Sequence, residues 1–231
     1  MTWNPKDHDP DWPFDVLETT FAIDPGRTAL LVIDLQPGQF TFPADDPLVQ
    51  KYPHLTDAFT NRVESLVMPN TLKLLSYFRD RGLKVAFSRN VYNTRTGQQA
   101  TGRLKPKQPL TSGYRGCADH DVDPRLAPRD DEVLVDKLTS SSFNCTFLDH
   151  ALRNMGITGV VIVGVLSDMC VLGTARMAGE IGYDTLICED ACGTFTQAAH
   201  NQAMLMHARK FGRVAQTDDI LAELEQDTRS S

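Results

Sequence analysis

The sequence predicts an α/β protein of three layers, in which helices cover both faces of a mostly parallel, six-stranded sheet of Rossmann-like topology. Short, nearly continuous apolar runs alternate along the 231 residues with amphipathic stretches. Strands that are apolar throughout are typical of a parallel sheet buried on both faces, and intervening stretches of roughly 10 to 15 residues suit crossover helices. The chain is long enough to bury one large core without disulfides or metals.

The first two strands are predicted at 29–34 and 84–88, because both runs are apolar and end in polar residues. Between them, apolar residues recur at helical spacing over 69–81. Pro69 suits the first turn of that helix and Gly82 ends it.

The second half of the chain continues the same alternation. Ser142 is a favourable N-cap and Gly156 a favourable stop for a helix over 143–155. Gly182 ends a further helix, and Thr217 caps the last one, which carries acidic residues in its first turn. The predicted elements are strand 133–136, helix 143–155, strand 160–164, helix 169–181, strand 184–188, helix 197–210, strand 213–216 and a helix from Thr217.

Two segments lack this alternation. Residues 1–27 are rich in Pro, Asp and Trp and show no hydrophobic period. We expect an extended arm there, lying over the domain or over a neighbouring subunit, while residues 28–231 form a single domain. Irregularly spaced glycine and proline residues over 90–131 predict a long loop excursion, and long loops of this kind are usually functional or disordered.

Composition and charge exclude several classes of protein. Hydrophobic residues make up 41% and charged residues 23% of the chain, which excludes a disordered or fibrous protein. The net charge of −7 comes without a basic stripe, so we expect no nucleic acid and no membrane as a partner. The apolar runs are far too short for a spanning helix. Five scattered cysteines argue against a disulfide framework and for a cytoplasmic protein.

Three residues able to perform chemistry fall at predicted strand ends. Asp34 closes the first strand, Lys137 follows the third, and Cys170 follows the fourth and opens the next helix. Ligands of open parallel sheets bind beyond these carboxyl ends. A helix N-terminus and a nearby ammonium lower the pKa of a thiol, and a carboxylate can accept its proton, so the set indicates a covalent cysteine hydrolase. Taken singly, the three residues are more often a loop cap, a solvated lysine and an inert buried cysteine than catalytic groups.

Longer motifs around these residues resemble the isochorismatase-like cysteine hydrolases. The segment ALLVIDLQ around Asp34 is similar to the first strand of that family. The segments KLTSSSFNCTFL, which begins at Lys137, and VIVGVLSDMCV, which contains Cys170, are similar to its core. The segment EDACG at 189–193, followed by His200, resembles its last turn.

The resemblance implies a catalytic triad of Asp34, Lys137 and Cys170. It also implies a cis peptide bond between Val165 and Leu166, which in the family turns the amide of residue 166 inward. The backbone amides of Leu166 and Cys170 would then form an oxyanion hole. A homo-oligomer, either a dimer or a tetramer, is the assembly that the resemblance suggests.

Departures from the family pattern narrow the expected activity. Family members without the cysteine cleave the vinyl ether of isochorismate, so Cys170 favours hydrolysis of a carboxamide or ureido C–N bond through a thioester, releasing ammonia or an amine. Nicotinamidases of the family carry an Asp-x-His metal motif, whereas 87–94 holds neither an acid nor a histidine. We therefore expect no metal and no cofactor, as in the branch of N-carbamoylsarcosine amidase, biuret hydrolase and ureidoacrylate hydrolase.

Five residues near the strand ends are predicted to contact the small-molecule substrate: Gln36, Phe40, Asn90, Tyr92 and Val165. Three alternatives to the amidohydrolase stay open. The first is a vinyl-ether hydrolase of the isochorismatase type that uses Asp34 alone, and the second is a catalytically silent binding or scaffold module. The third is a thiol redox protein in which Cys192 approaches Cys170.

Overall fold

One sheet of six parallel strands forms the centre of the computed structural model, which describes residues 2–14, 16, 19–100 and 102–227. The strands are β1 Thr28–Ile33, β2 Lys84–Asn90, β3 Val133–Lys137, β4 Gly159–Val165, β5 Asp184–Gly193 and β6 Arg213–Ala215. Their order across the sheet is β3-β2-β1-β4-β5-β6, and every neighbouring pair is parallel. The predicted α/β class with a six-stranded parallel sheet is confirmed.

Helices pack against both faces of this sheet. In chain order they are α1 Pro37–Phe40, α2 Pro47–Lys51, α3 Pro53–Arg62, α4 Met68–Asp80, α5 Leu148–Asn154, α6 Leu172–Glu180, α7 Gln197–Ala208 and α8 Thr217–Asp227. Two π-helical turns, Val63–Val67 and Ser167–Val171, lead directly into α4 and α6. Among the helices described, none is both long and apolar enough to cross a bilayer.

Two apolar cores lie on opposite faces of the sheet. Along β1, Leu30 and Val32 pack in one core with side chains of α3, α4 and α8, whereas Leu31 and Ile33 pack in the other with those of α5, α6 and α7. Every residue of β1 and β4 is buried. A central strand covered on both sides needs apolar residues at every position, which explains the continuous apolar runs.

The segment between β1 and β2 holds more helix than the sequence pattern indicates. Proline occupies one of the first two positions in each of α1, α2, α3 and α4. Proline in a first turn has no backbone N–H to donate, and the amides there have no partner within the helix in any case. The prolines before residue 69 thus begin short helices in a segment that shows little helical period.

Helix α5 begins at Leu148, so the prediction of a helix from residue 143 with Ser142 as its N-cap is wrong. Thr146 Oγ1 donates to the carbonyl oxygen of Ser142 (2.6 Å) and accepts from the amide of Leu148 (3.1 Å). Cys145 has φ of 62°, which an α-helix does not allow. Hydroxyl groups that bond the backbone locally compete with helix formation, and this stretch is rich in them.

Residues 21–23, at the end of the N-terminal arm, lie against β6 and α8, whereas Phe14 lies under the guanidinium of Arg209, just after α7. The amide of Ile23 donates to Glu223 Oε1 (2.9 Å), and Arg213 Nη1 donates to the carbonyl oxygen of Phe21 (2.7 Å). Trp12 is buried. Residues 1, 15, 17 and 18 of the predicted arm, and 101 and 228–231 of the predicted domain, lie outside the described residues. The described part of 91–132 has two single helical turns, 102–104 and 118–120, in otherwise irregular backbone.

Gly164 lies where β4 runs against the end of β1. Its φ is 122°, and a Cβ atom placed on it would come within 2.0 Å of the carbonyl oxygen of Ile33. Only glycine fits this conformation and this contact. Strand β5 continues past its predicted end at 188 to Gly193, with a shift of register opposite Gly164.

We expect Gly164→Ala to destabilise the protein by about 3 kcal/mol or more, because the new methyl group meets the backbone of Ile33 and the positive φ disfavours an L residue. Gly182 is the matched control, since its φ is also positive but nothing lies within 4 Å of its Cβ position. Gly182→Ala should cost only about 1 to 2 kcal/mol. Urea unfolding of the three proteins measures both losses, and equal losses would contradict a role for the contact with Ile33.

Candidate active site

The ammonium of Lys137 lies buried at the centre of the site. Lys137 Nζ donates to Asp34 Oδ2 (2.6 Å), to Cys170 Sγ (3.2 Å) and to the carbonyl oxygen of Thr139 (3.2 Å). These three acceptors use all three N–H groups of the ammonium. The side chains of Lys137 and Asp34 are 0% and 2% exposed. The structure thus brings the three sequence-predicted residues together at the carboxyl ends of β1, β3 and β4.

The carboxylate of Asp34 is held from a second side by Ser88. Ser88 Oγ donates to Asp34 Oδ1 (2.9 Å), and the amide of Asp34 donates to the carbonyl oxygen of Ser88 (3.0 Å). Asp34 has φ of 51°, a left-handed conformation that is uncommon for residues other than glycine and is enriched at active sites. Sequence reasoning missed Ser88. The available signal was a small polar residue at the end of the apolar run Val85-Ala-Phe.

Cys170 lies in the π-helical turn between β4 and α6. The carbonyl oxygen of Leu166 accepts hydrogen bonds from the amides of Met169 (3.0 Å) and Val171 (3.1 Å), but not from the amide of Cys170 between them. Amides at a helix N-terminus lack partners within the helix, and π-helical turns are frequent at functional sites. The peptide bond between Val165 and Leu166 is cis, as the family resemblance implies.

The thiol of Cys170 lacks the lowered pKa that the sequence leads us to expect. Burial and the neighbouring carboxylate of Asp34 raise its pKa to about 12, and the ammonium of Lys137 opposes only part of this effect. Burial by itself would lower the pKa of Lys137, but the charges of Asp34 and Cys170 outweigh burial and raise it. At rest the sulfur is therefore a neutral thiol between a carboxylate and an ammonium.

Two of the five residues predicted to contact substrate, Gln36 and Phe40, make contacts within the fold itself. The side-chain amide of Gln36 donates to the carbonyl oxygens of His120 (2.5 Å) and Asn90 (3.3 Å), and its oxygen accepts from the amide of Asn90 (2.7 Å). Gln36 thus ties the end of β2 to the 118–120 turn. Phe40 is 1% exposed within the core that faces α3 and α4. These contacts give Gln36 a positioning role and Phe40 a packing role, and contact of either residue with substrate stays a prediction.

The other three residues lie at the carboxyl ends of β2 and β4. Asn90 and Tyr92 are half-buried, and Val165 is buried. The hydroxyl of Tyr92 donates to the carbonyl oxygen of Leu104 (2.8 Å), and its backbone pairs with that of Tyr114. Tyr92 therefore anchors the irregular segment that follows β2. Substrate contact by Asn90, Tyr92 and Val165 stays a prediction.

The site contains a nucleophile, a carboxylate base and a fixed cation. Within the described ranges, no group of three or more His, Cys, Asp or Glu side chains is arranged to hold a metal ion. All five cysteines carry free thiols, and Cys192 is buried with its Sγ 3.8 Å from the carbonyl oxygen of Ile162. This set of groups is suited to covalent catalysis by the thiol of Cys170.

Comparison with known proteins shows the family to which the chain belongs. A family model described as the isochorismatase domain matches residues 28–219. The ureidoacrylate amidohydrolase RutB of Rhizobium rhizogenes is 26% identical over 89% of this chain and 86% of its own length. The N-carbamoylsarcosine amidase of an Arthrobacter species is 26% identical over 69% of this chain and 61% of its own length.

A solved structure of a cysteine hydrolase from Pseudomonas syringae pv. phaseolicola has the same fold. Its TM-score is 0.70 at 23% sequence identity, and the alignment covers 90% of this chain and 97% of that one. The family model spans most of the chain, from β1 into α8. The chain therefore belongs to the isochorismatase family of hydrolases.

Proposed function

We propose that the protein is a cysteine-dependent amidohydrolase that cleaves the C–N bond of a small carboxamide or ureido compound. One observation carries the proposal: a single buried ammonium, that of Lys137, contacts both the carboxylate of Asp34 (2.6 Å) and the sulfur of Cys170 (3.2 Å). Acyl transfer from an amide needs a nucleophile, a base to activate it and a fixed charge to stabilise the ion that forms.

In the first step, Cys170 Sγ attacks the carbonyl carbon of the substrate while Asp34 takes the thiol proton. The S–H bond breaks, the S–C bond forms, and the π electrons of the carbonyl move onto its oxygen. Asp34 has to act as the base in this step, because the thiol is neutral at rest. Lys137 stays protonated and stabilises the negative charge as it moves from the carboxylate to the sulfur.

The backbone amides of Leu166 and Cys170 are the proposed donors to the resulting oxyanion. Support for Cys170 comes from the hydrogen bonds of the π-helical turn. The carbonyl oxygen of Leu166 accepts from the amides of Met169 and Val171 but not from the amide of Cys170. A donor in such a position commonly contributes roughly 3 to 4 kcal/mol to stabilisation of the transition state.

The tetrahedral intermediate then collapses. The C–N bond breaks as Asp34 returns its proton to the leaving nitrogen, so that ammonia or an amine departs and a thioester remains on Cys170. Asp34, now a carboxylate again, removes a proton from a water molecule that attacks the thioester carbonyl. The C–S bond breaks, the acid product leaves, and the sulfur recovers its proton from Asp34.

The names of the relatives favour ureido compounds as the first substrates to test. One relative is an N-carbamoylsarcosine amidase and another a ureidoacrylate amidohydrolase. Both names denote hydrolysis of a small molecule that carries a ureido group. For this chain we therefore propose that the substrate is a small, linear ureido or amide compound, and we propose the class and no single compound within it.

We expect the wild-type protein to release ammonia from at least one compound in a panel of biuret, N-carbamoylsarcosine, ureidoacrylate and nicotinamide. Cys170→Ala and Asp34→Asn should each lower kcat by about a thousandfold or more, because each removes a group that the chemical step requires. Circular dichroism checks that both variants are folded.

Cys145→Ala is the matched control, because Cys145 is an exposed thiol outside the triad; its activity should equal that of the wild type. Full activity in Cys170→Ala would refute the thioester mechanism. Turnover of isochorismate that survives Cys170→Ala but not Asp34→Asn would instead identify the vinyl-ether hydrolase.

Asp34→Asn should have opposite effects on turnover and on thiol ionisation. The carboxylate of Asp34 raises the pKa of Cys170, whereas the ammonium of Lys137 lowers it. Replacing Asp34 by neutral Asn removes the first effect and keeps the second, so the pKa of Cys170 should fall. We therefore expect alkylation of Cys170 by iodoacetamide, followed by peptide mass spectrometry over about pH 6 to 10, to begin to rise at a lower pH in Asp34→Asn than in the wild type, whose rate should still be rising at the upper end of this range. Exposed Cys145 in the same samples is the internal reference. A rise at the same or a higher pH than in the wild type would contradict the role of Asp34 in keeping the thiol neutral.

A further inference from the structure

We propose that Ser167 and His200 are positioning residues that hold the turn carrying Cys170 in its reactive geometry. The inference rests on the proposed function, because it concerns the same nucleophile. It adds a chain of buried and half-buried polar groups on elements that supply no member of the triad. These groups are Arg62 at the end of α3, Glu189 on β5 and His200 on α7.

The chain of contacts is continuous from the surface to the turn. Ser167 Oγ lies 2.8 Å from His200 Nδ1, and His200 Nε2 lies 2.7 Å from Glu189 Oε1. Arg62 Nη2 lies 3.4 Å from the same carboxylate oxygen and 3.1 Å from His200 Nε2, while Arg62 Nε donates to the carbonyl oxygen of Cys192 (3.1 Å). Ser167 and His200 are 0% and 1% exposed.

Two groups compete for His200 Nε2: the Glu189 carboxylate can only accept, and the Arg62 guanidinium can only donate. Glu189 Oε1 is the closer of the two, at 2.7 Å against 3.1 Å, so Nε2 carries a hydrogen and donates it to Glu189, while Arg62 contacts the ring without a hydrogen bond. Burial, assisted by the charge of Arg62, lowers the pKa of His200 despite the bond to Glu189, and the imidazole is neutral near pH 7. Nδ1 is then an acceptor, and the hydroxyl of Ser167 donates to it.

This bond acts on the nucleophile through the backbone. Ser167 begins the π-helical turn and lies three residues before Cys170. The next residue is also held, because Thr194 Oγ1 donates to Asp168 Oδ1 (2.7 Å). The sulfur of Cys170 is thus held by Lys137, and the backbone that leads to Cys170 is held by the Ser167–His200 bond. A displacement of about 1 Å at a reacting atom commonly lowers the rate by about a hundredfold.

Two substitutions of His200 separate its two bonds. The Asn side chain in His200→Asn places an oxygen where Nδ1 was, so it can still accept from Ser167 but cannot reach Glu189. The longer Gln side chain in His200→Gln places its amide where Nε2 was, so it can still donate to Glu189 but loses Ser167. Ser167→Ala removes the same bond as His200→Gln from the other end.

We expect Ser167→Ala and His200→Gln to lower kcat for ammonia release by about tenfold to a hundredfold with KM within about twofold, whereas His200→Asn stays within about threefold of the wild type. Thr185→Val is the control for loss of a buried hydroxyl. Thr185 is fully buried at the other end of the sheet, where its Oγ1 donates to the carbonyl oxygen of Phe211 (2.7 Å). The kcat of Thr185→Val should equal that of the wild type, even where its melting temperature is lowered as much as that of Ser167→Ala.

Alkylation of Cys170 by iodoacetamide tests the inference without any substrate. The rate at Cys170, relative to that at Cys145, should change about fivefold or more in Ser167→Ala and His200→Gln but not in His200→Asn, because only the first two release the turn. Equal rates and equal kcat in all variants would overturn the inference. So would equal losses in the two His200 variants.

The two proposals fail in different ways. A wild type that releases no ammonia from any compound, but whose Cys170 alkylation separates the Gln from the Asn variant, would refute the amidohydrolase and keep the positioning role. A wild type that turns over substrate with no difference among the variants would keep the amidohydrolase and refute the positioning role.

Discussion

The buried ammonium of Lys137 is the interaction on which the site depends. A charge removed from water is costly unless its hydrogen bonds are replaced, and here Asp34, Cys170 and the Thr139 carbonyl replace all three. Removal of Asp34 or Lys137 alone would leave its partner buried without compensation, which commonly costs about 3 to 5 kcal/mol. The same ammonium therefore stabilises the site at rest and supplies the fixed positive charge for the reaction.

The strand order decides how these groups can meet. β1 and β4 are neighbours, so Asp34 and the turn after β4 lie side by side, but β2 separates β1 from β3. Two strand spacings amount to about 9.6 Å, a gap that suits a long flexible side chain such as that of Lys137 reaching toward Asp34. Ser88 lies on the intervening strand and is small enough to leave this path open while it donates to the carboxylate. A large side chain at position 88 would occupy the space through which the ammonium reaches Asp34.

The sequence was informative where one rule decides a feature and uninformative where several interactions compete for it. The strand ends that carry Asp34, Lys137 and Cys170 followed from apolar runs, because carboxyl ends of parallel strands converge whatever the loops do. The start of α5 did not follow, since Thr146 bonds the backbone in place of a helical turn. The pKa of Cys170 did not follow either. Helix position and Lys137 favour a low pKa, whereas burial and Asp34, which only the packed structure reveals, favour a high one.

The charge balance of the triad explains how a thiol with a high pKa can still serve as the nucleophile. Transfer of the proton from Cys170 to Asp34 moves one negative charge but leaves the triad's net charge unchanged, with Lys137 beside the charge before and after. Lys137 Nζ lies 2.6 Å from Asp34 Oδ2 and 3.2 Å from Cys170 Sγ. Moving the negative charge from the nearer to the farther atom weakens its Coulomb attraction to the ammonium by only about 1 kcal/mol at an effective dielectric constant of about 20. The intrinsic difference in acidity between a thiol and a carboxylic acid, about 4.5 pKa units or about 6 kcal/mol, costs more than this change in distance. The thiolate therefore forms only as the sulfur attacks, when the new S–C bond and the oxyanion donors offset that difference.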